Sequence, residues 1–294
     1  MGLIYSSRVN ARRVKGSEIR SRGSVQVDGV SVYYETAGLS EHGPTVLFLH
    51  EDGGTAATWQ AQLVGLSQGA RCIALDLPGH GRSEGLGSAS VAEYGQAVLG
   101  FLDALAIRWP VAVVGVCLGS SIAVDLALSV PDRVVGLILS GLSEGGRACH
   151  ATREAAARGE AAEAFVANLF SAAVPRQLVS AQMTRWRNTS PIVRYGDLLA
   201  QSAYPLLDSL REVTQPVLLV VGERDGLASP ADALEAAAEM VDARVAVVPG
   251  AGCLCMAEHP AVYNRMSADF LHGRLRPVTP VIPTEGQRGG YRRF

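Results

Sequence analysis

The sequence is poor in lysine, cysteine and charged residues. Lys15 is the only lysine among the 26 basic residues of the 294-residue chain, a bias toward arginine that is typical of GC-rich bacterial genomes. Charged residues make up 18% of the chain and hydrophobic residues 48%, which excludes disorder as its main state. Five cysteines are too few for a disulfide scaffold, and their odd number leaves at least one unpaired.

Long apolar runs are also missing. No uninterrupted stretch reaches the roughly 18 apolar residues of a membrane span, and no apolar run follows the basic residues near the N-terminus. We therefore expect neither a membrane segment nor a secretory signal peptide. A cytoplasmic protein with reduced thiols is the expectation.

The net charge of −2 is unevenly distributed. Residues 1–24 carry six basic residues against Glu18, and residues 273–294 carry five arginines against Glu285, which leaves 15 basic and 26 acidic residues between them. An acidic body argues against a nucleic-acid enzyme, whose basic residues should line a folded surface. We predict a basic N-terminal tail over residues 1–24 and a flexible C-terminal tail over residues 273–294.

Short apolar runs alternate with helical patterns along the chain. Residues 25–27 and 30–34 flank Asp28-Gly29, which predicts a β-hairpin. Continuous apolar runs and turn residues predict further strands, and periodic segments predict helices. The strands are 45–50, 71–75, 111–116, 134–140, 216–221 and 244–248, and the helices are 90–107, 120–130, 231–241 and 260–271. This alternation predicts an α/β fold with a mostly parallel sheet flanked by helices.

One segment breaks the alternation. Residues 144–211 contain helical stretches and no strand pattern. They predict a helical cap, inserted into an α/β core domain of residues 25–143 and 212–272, over the carboxyl ends of the strands. The side chains that we expect to line a substrate pocket there are His50, His150, Trp186 and Tyr195.

The most specific motif is Gly115-Val116-Cys117-Leu118-Gly119, which follows a predicted buried strand and opens a predicted helix. This is the context of a nucleophile elbow. Glycines two residues before and after the central residue permit a strained turn, from which the central side chain projects at a helix N-terminus. The alternative is a buried cysteine in a glycine-rich turn, but strand, glycines and helix all match the elbow.

The chain resembles the α/β-hydrolase family over nearly all of residues 25–272. The further motifs that carry the resemblance are Leu49-His50 with Gly53-Gly54, residues 76–83 (DLPGHGRS), residues 222–225 (GERD) with Ser229-Pro230, and residues 250–252 (GAG) with residues 258–260 (EHP). The resemblance implies an oxyanion-hole amide from the loop after His50 and a triad acid at Asp225. It also implies that the segment after Gly252 normally carries the triad histidine.

The sequence departs from the family pattern at the reacting positions. Cys117 stands in place of the usual serine, and Cys253 stands where the family has its catalytic histidine. The loop after His50 has Glu51 at a usual glycine and Asp52 where the oxyanion amide is expected. The implied constellation is Cys117, Asp225 and Cys253, with oxyanion amides from Leu118 and Asp52 and with Glu51 beside them.

Cysteine chemistry tolerates the missing histidine better than serine chemistry does. A free thiol has a pKa of about 8.5, which a helix N-terminus lowers, so Cys117 can attack a carbonyl carbon without a partner base. Loss of histidine's proton transfer typically costs about 10²–10⁴-fold in rate. Efficient hydrolysis is therefore not expected.

We therefore expect an enzyme with a cysteine nucleophile, acting on a small or medium organic carbonyl, ester or thioester compound. Acyl transfer, hydrolysis, and lyase or cyclase tailoring chemistry of secondary metabolism are all compatible with these residues. We expect no cofactor and no metal, and neither a nucleic acid nor a membrane as partner. The alternative is a non-hydrolytic small-molecule-binding pseudoenzyme of the same fold. Nothing in the sequence indicates an oligomeric state.

Other readings of these residues stay open. Cys117 and Cys253 could form a disulfide, or bind a metal together with Cys255 and a carboxylate of Asp52 or Asp225. Asp225 could also be a structural turn carboxylate or pair with an arginine such as Arg224. Another histidine could replace the missing base, from the set His42, His50, His80, His150, His259 and His272.

Overall fold

A computed structural model describes residues 12–13, 19–38, 44–142 and 163–273. The strands in these ranges are β1 Arg12–Arg13, β2 Ile19–Val27, β3 Val30–Ala37, β4 Thr45–Leu49, β5 Arg71–Leu75, β6 Val111–Val116, β7 Val134–Ser140, β8 Val217–Gly222 and β9 Ala243–Val248. The helices are α1 Gln60–Leu66, α2 Val91–Ala104, α3 Leu118–Ser129, α4 Glu163–Asn168, α5 Arg176–Asn188, α6 Pro191–Ala203, α7 Leu206–Glu212, α8 Pro230–Ala238, α9 Cys255–Glu258 and α10 Pro260–Leu271.

The strands form one sheet in the order β1-β2-β3-β5-β4-β6-β7-β8-β9. The pairs from β1 to β5 are antiparallel, and all pairs from β5 to β9 are parallel. The predicted hairpin is present, because Val27 pairs with Val30 across Asp28-Gly29. The prediction of an α/β fold with a mostly parallel sheet flanked by helices is confirmed.

Apolar side chains cover both faces of the sheet. β4 and β6 are buried along their whole length, as their uninterrupted apolar sequences predict. One face packs against α2, α3 and α7, and the other packs against α1 and α10. The carboxyl ends of the parallel strands therefore meet at one edge, where ligands bind in open α/β sheets.

Helices occupy the described part of the chain between β7 and β8. They are α4, α5, α6 and α7, and no strand lies among the described residues of this segment. α6 begins with Pro191, whose fixed φ suits the first turn of a helix. Trp186 of α5 and Asp197 of α6 are both fully buried, so this helical segment packs tightly against the core.

The N-terminal part of the sheet differs from the prediction. β2 begins at Ile19, so residues 19–24 belong to the sheet and not to the predicted tail of residues 1–24. Arg22 and Ser24 alternate with less exposed neighbours, and Arg22 lies 3.7 Å from Glu35 on β3. The polar, exposed side chains of Arg22 and Ser24 gave this part of the strand no apolar period in the sequence.

Some predictions fall outside the described residues. They concern most of the predicted N-terminal tail, the C-terminal tail beyond residue 273, His42 and His150. Among the described residues, no helix is long and apolar enough to cross a membrane.

Candidate active site

Cys117 lies at the sharp turn between β6 and α3. Its φ of 51° and ψ of −116° place it in a region that non-glycine residues adopt only under strain. A Cβ atom on Gly119 would lie 2.2 Å from the carbonyl oxygen of Leu49, and one on Gly115 would lie 2.3 Å from that of Gly119. The two glycines thus permit the close strand–helix packing that the motif predicts.

The thiol of Cys117 faces the thiol of Cys253. The two Sγ atoms are 3.6 Å apart, both cysteines are free, and their exposed fractions are 3% and 0%. Gly141 closes the same space, because a Cβ atom there would approach the two sulfurs to 2.7 and 2.9 Å. The structure therefore brings the two cysteines together as a contacting thiol pair and not as a disulfide.

The surroundings of Cys117 disfavour its thiolate. A hydrogen bond with Cys253 lowers the pKa of the Cys117 thiol, but burial and three negative charges raise it, and the net shift is upward. The charges belong to Asp52, Glu51 and Asp225, with Asp52 acting most strongly. The net shift is therefore opposite to the lowering that is expected from the N-terminus of α3, and burial and like charge cause it.

Cys253 is an even weaker acid. Its hydrogen bond with Cys117 and its burial raise its pKa well above the ordinary value, and the charge of Asp225 adds to the shift. Cys253 is therefore a neutral thiol at physiological pH. It cannot serve as the general base that a histidine in the same place would provide.

Glu258 holds the loop that carries Cys253. Its Oε1 accepts the N–H groups of Gly252 and Ser171, each at 2.9 Å, and its Oε2 accepts the Ser171 hydroxyl at 2.5 Å. Glu258 belongs to the motif of residues 258–260, and no role was predicted for it from the sequence. Its only sequence signal is its position shortly after the glycine-rich turn.

Asp225 lies in the turn after β8 and is 8% exposed. Its Oδ1 accepts the N–H groups of Leu227 at 2.8 Å and Ala228 at 3.2 Å, while its Oδ2 is buried without a hydrogen-bond partner. Burial raises the pKa of Asp225 to about 6, although the two N–H groups lower it. Among the described residues it forms no ion pair with Arg224, so it both shapes the turn and adds negative charge near Cys117.

Glu51 is buried beneath the cap. Its Oε1 accepts the Thr58 hydroxyl at 2.9 Å and the Gln182 amide at 2.8 Å, and its Oε2 has no hydrogen-bond partner. The guanidinium of Arg185 in turn donates to the Gln182 side-chain oxygen at 2.7 Å. Glu51 thus links the loop after β4 to α5 through uncharged donors.

Asp52 lies in the loop after β4, next to the predicted oxyanion amides. It is 2% exposed, and its Oδ1 is buried without a hydrogen-bond partner. Burial and the charges of Asp197 and Glu51 raise the pKa of Asp52 to about 7, although the N–H groups of Asp52 and Leu118 lower it. The oxyanion role of the two amides stays a prediction.

His50 is a structural residue below this loop. Its Nδ1 lies 2.8 Å from the carbonyl oxygen of Glu51, and its Nε2 accepts the N–H of Leu77 at 3.0 Å. Burial lowers the pKa of His50 to about 3, so the ring is neutral and has no free nitrogen. In the described part of the chain, no histidine nitrogen hydrogen-bonds to the Cys117 thiol.

His80 belongs to a buried polar cluster that the sequence analysis missed. Its Nε2 lies 2.8 Å from Oδ2 of Asp197, and Oδ1 of Asp197 accepts the Tyr94 hydroxyl at 2.6 Å. Asp197 also accepts the N–H of Gly53 at 3.0 Å. The cluster therefore joins α6, α2 and the loop after β5 to the oxyanion loop.

The two cap aromatics differ in position. Trp186 is fully buried, and a Cβ atom on Gly53 would lie 2.8 Å from its Cε3 atom. Its ring packs 5.3 Å from that of Phe165, and the guanidinium of Arg194 lies over it at 5.4 Å. Tyr195 is 37% exposed on α6. Trp186 therefore covers the oxyanion loop, whereas the predicted pocket role of Tyr195 stays a prediction.

Among the described residues, no ligand set supports the alternative in which these cysteines bind a metal ion. No group of three or more histidine, cysteine or acidic side chains is arranged to hold a metal ion within the ranges that the structure describes. Cys255 instead contacts Ser140, and burial raises the pKa of its thiol. Cys72 is a core residue, and burial raises its pKa to about 12.

Comparisons with known proteins agree with the fold. The Alpha/beta hydrolase family matches residues 46–266. A 2-succinyl-6-hydroxy-2,4-cyclohexadiene-1-carboxylate synthase from Enterobacter sp. (strain 638) is 30% identical over 257 residues, which cover 80% of this chain and 94% of that protein. The matched stretches span only 9% to 40% of the length of three further curated relatives.

Two solved structures share the fold. A thermophilic esterase from Thermogutta terrifontis has a TM-score of 0.76 at 21% identity, with 86% of this chain and 98% of that chain covered. The enol-lactonase from Burkholderia xenovorans LB400 has a TM-score of 0.76 at 22% identity, with 85% and 99% covered. At these identities the likeness concerns the fold alone.

Proposed function

Because the chain belongs to the Alpha/beta hydrolase family, we propose that it is an enzyme in which Cys117 attacks the carbonyl carbon of a small or medium organic compound. Esters, thioesters and related carbonyl compounds are the substrate class. The reaction is acyl transfer, hydrolysis, or lyase or cyclase chemistry. A tailoring step of bacterial secondary metabolism is the setting that we propose.

The backbone at Cys117 carries this proposal. A strained φ of 51° at a strand end, with glycines at contact distance on both sides, presents one side chain at the N-terminus of α3. Strain of this kind costs about 1–3 kcal/mol and is typical of functional sites. A cysteine that only filled the core would not need it.

The missing histidine limits the reaction. Neither Cys253 nor the turn carboxylate Asp225 can replace a base of pKa near 7 that also rotates between nucleophile and leaving group. Water activation for deacylation is therefore weak. We propose that an acyl group on Cys117 passes to a better nucleophile than water, or that the reaction proceeds without a lasting acyl-enzyme.

A binding protein without catalysis is the second candidate. The observation that favours it is the buried Asp52 carboxylate next to the predicted oxyanion amides, together with the raised pKa of the Cys117 thiol. Both features oppose unassisted attack by a thiolate. A small neutral or cationic ligand would suit such an acidic site better than a carboxylate ligand.

An acyl probe separates the two candidates. The protein is incubated with a thiol-reactive thioester probe, and labelled peptides of the wild type, Cys117→Ala and Cys253→His are mapped by mass spectrometry. The enzyme proposal expects label on Cys117 in the wild type and its loss in Cys117→Ala. Cys253→His should gain ester hydrolysis, because the histidine restores the base. If Cys117 is not labelled in the wild type, the proposal that Cys117 is the nucleophile is refuted.

A further inference from the structure

The predicted oxyanion amide of Asp52 lies in a tight turn of residues 51–54. The N–H of Gly54 closes this turn by donating to the carbonyl oxygen of Glu51 at 2.9 Å. Gly53 is the third residue of the turn, and its φ of 60° lies in the left-handed region that a type II turn requires there. The conformation of the turn therefore decides the direction of the Asp52 amide.

The core fixes the peptide that carries this amide. Leu77 donates its N–H to Nε2 of His50 at 3.0 Å, so the neutral ring carries its proton on Nδ1 and donates it to the carbonyl oxygen of Glu51 at 2.8 Å. The same oxygen accepts the N–H of Gly54. The C=O and N–H groups of a trans peptide point in opposite directions. The two bonds to the carbonyl group of Glu51 therefore also orient the N–H of Asp52.

Side chains of the cap hold the next part of the turn. The N–H of Gly53 donates to Oδ2 of Asp197 on α6 at 3.0 Å, and the hydroxyl of Thr189, directly after α5, donates to the carbonyl oxygen of Gly53 at 3.1 Å. The ring of Trp186 packs against the Cα atom of Gly53, where a Cβ atom would lie 2.8 Å from Cε3. Both backbone polar groups of Gly53 thus bind the cap.

Building on the proposed attack on a carbonyl carbon, we infer that Thr189 is a positioning residue for the oxyanion amide. Its hydroxyl holds the carbonyl group of Gly53, and the same peptide supplies the N–H of Gly54. That N–H holds the carbonyl group of Glu51, whose peptide carries the N–H of Asp52. The two hydrogen bonds in this chain measure 3.1 and 2.9 Å, and planar peptides join them.

The turn needs this support because of its composition. Gly53 and Gly54 are consecutive glycines, which give the backbone a wide conformational range. The hydroxyl of Thr189 restricts that range from a residue 136 positions away, and Thr189 is only 3% exposed. An amide stabilises an oxyanion effectively when it is held in place before the charge forms. The docked cap therefore preorganises the amide of Asp52 for acyl chemistry.

Thr189 also makes a local contact within its own helix. Its hydroxyl lies 3.1 Å from the carbonyl oxygen of Arg185, four residues earlier, so its single proton is shared between this oxygen and that of Gly53. Thr184 makes the same local contact from an exposed position on α5, donating to the carbonyl oxygen of Ser180 at 2.9 Å. Thr184→Val is therefore the matched control for the loss of a threonine hydroxyl from this helix.

Two reagents that react with the thiolate of Cys117 test the positioning role. p-Nitrophenyl acetate bonds its acetyl carbon to the sulfur, its carbonyl oxygen carries a negative charge until p-nitrophenolate departs, and the thiol proton passes to water. Iodoacetamide alkylates the same sulfur, releases iodide and forms no oxyanion. The ratio of the two rates therefore reports on the oxyanion amides. Peptide mass spectrometry follows both rates at Cys117.

The variants are Thr189→Val, Thr189→Ala, Thr189→Ser and the control. We expect Thr189→Val to slow acetylation by about 10–10²-fold, the effect of a misplacement of about 1 Å, and to leave alkylation at the wild-type rate. Thr189→Ala should do the same, and it cannot crowd the carbonyl oxygen of Gly53. Thr189→Ser keeps the hydroxyl and should restore acetylation. Thr184→Val should match the wild type in both reactions.

The possible failures are distinguishable. Acetylation at the wild-type rate in both Thr189→Val and Thr189→Ala overturns the positioning role and leaves the nucleophile intact. A parallel fall of both rates, or no recovery in Thr189→Ser, overturns it in the same way, because a misshapen site would affect both reactions. If p-nitrophenyl acetate does not acetylate Cys117 in the wild type, the proposed function itself fails, and the positioning role fails with it.

Discussion

Removing the carboxylate of Asp197 should loosen the cap from the oxyanion loop. Asp197 on α6 is fully buried and is bound by three donors from separate parts of the core. These are Nε2 of His80 at 2.8 Å, the hydroxyl of Tyr94 at 2.6 Å and the N–H of Gly53 at 3.0 Å. The variant Asp197→Ala leaves all three donors in the interior without their acceptor.

The magnitude follows from the kind of contact that is lost. Removing one partner of a buried ion pair costs about 3–5 kcal/mol. Each neutral donor left unsatisfied adds up to about 1–3 kcal/mol unless water enters the space. We expect a loss of at least about 3–5 kcal/mol, which lowers Tm by roughly 5–8 °C in a chain of this length.

The pH dependence has a definite sign. Burial lowers the pKa of His80, but Asp197 raises it more, so the net shift is upward. Burial raises the pKa of Asp197, but His80 and the other donors lower it more, so the net shift is downward. The stabilisation from His80 is complete below about pH 6.5 and is lost as pH rises through its folded-state pKa. That from Asp197 is present above about pH 4 and is lost as pH falls.

The assay is equilibrium unfolding across pH, with Asp208→Ala as the matched control. Asp208 is an exposed aspartate on the neighbouring helix α7 whose carboxylate pairs with Arg211, and its replacement should cost no more than about 0.5 kcal/mol. The stability gap between wild type and Asp197→Ala should be widest between about pH 4 and 6.5. The reasoning would be refuted if Asp197→Ala is no less stable than Asp208→Ala, or if the stability difference between wild type and Asp197→Ala does not change with pH.

Two further substitutions test the packing around the cysteines. Gly119→Ala would place a Cβ atom 2.2 Å from a backbone oxygen of β4 and should abolish folding or the elbow turn. The control variant Gly226→Ala should be tolerated, because a Cβ atom there would meet no atom within 4 Å. Soluble yield and thermal unfolding temperature are compared between the two variants. Glu258→Ala frees the N–H of Gly252 and should cost about 1–3 kcal/mol for each unpaired group. It should also speed alkylation of Cys253 by a maleimide, and unchanged alkylation would show that Glu258 does not hold the loop.

The main elements were predictable because their signals are local. The strands at 111–116 and 134–140 begin and end where continuous apolar runs predict them, and α10 begins at Pro260 as its sequence predicts. β2 was predicted six residues too short at its start. Arg22 near its start is exposed, and only pairing with β3 shows that these residues belong to the sheet.

The candidate site was predictable in its positions and not in its charge states. Motif spacing placed Cys117 at a strand end and Cys253 at the expected site of a histidine, and the two sulfurs lie 3.6 Å apart. Spacing cannot report burial, however. The raised pKa of Cys117 follows from its burial and from carboxylates of two separate loops, Asp52 and Glu51 after β4 and Asp225 after β8.

By itself, the amino-acid sequence determined the order of strands and helices, the glycines that permit the elbow, and a cysteine at residue 253, where the family resemblance implies a histidine. These features depend on neighbours along the chain. Only the tertiary structure decided that the Asp52 carboxylate is buried and that His80 meets Asp197, a residue 117 positions away. Burial and Coulomb interactions depend on distances in space, and folding sets those distances.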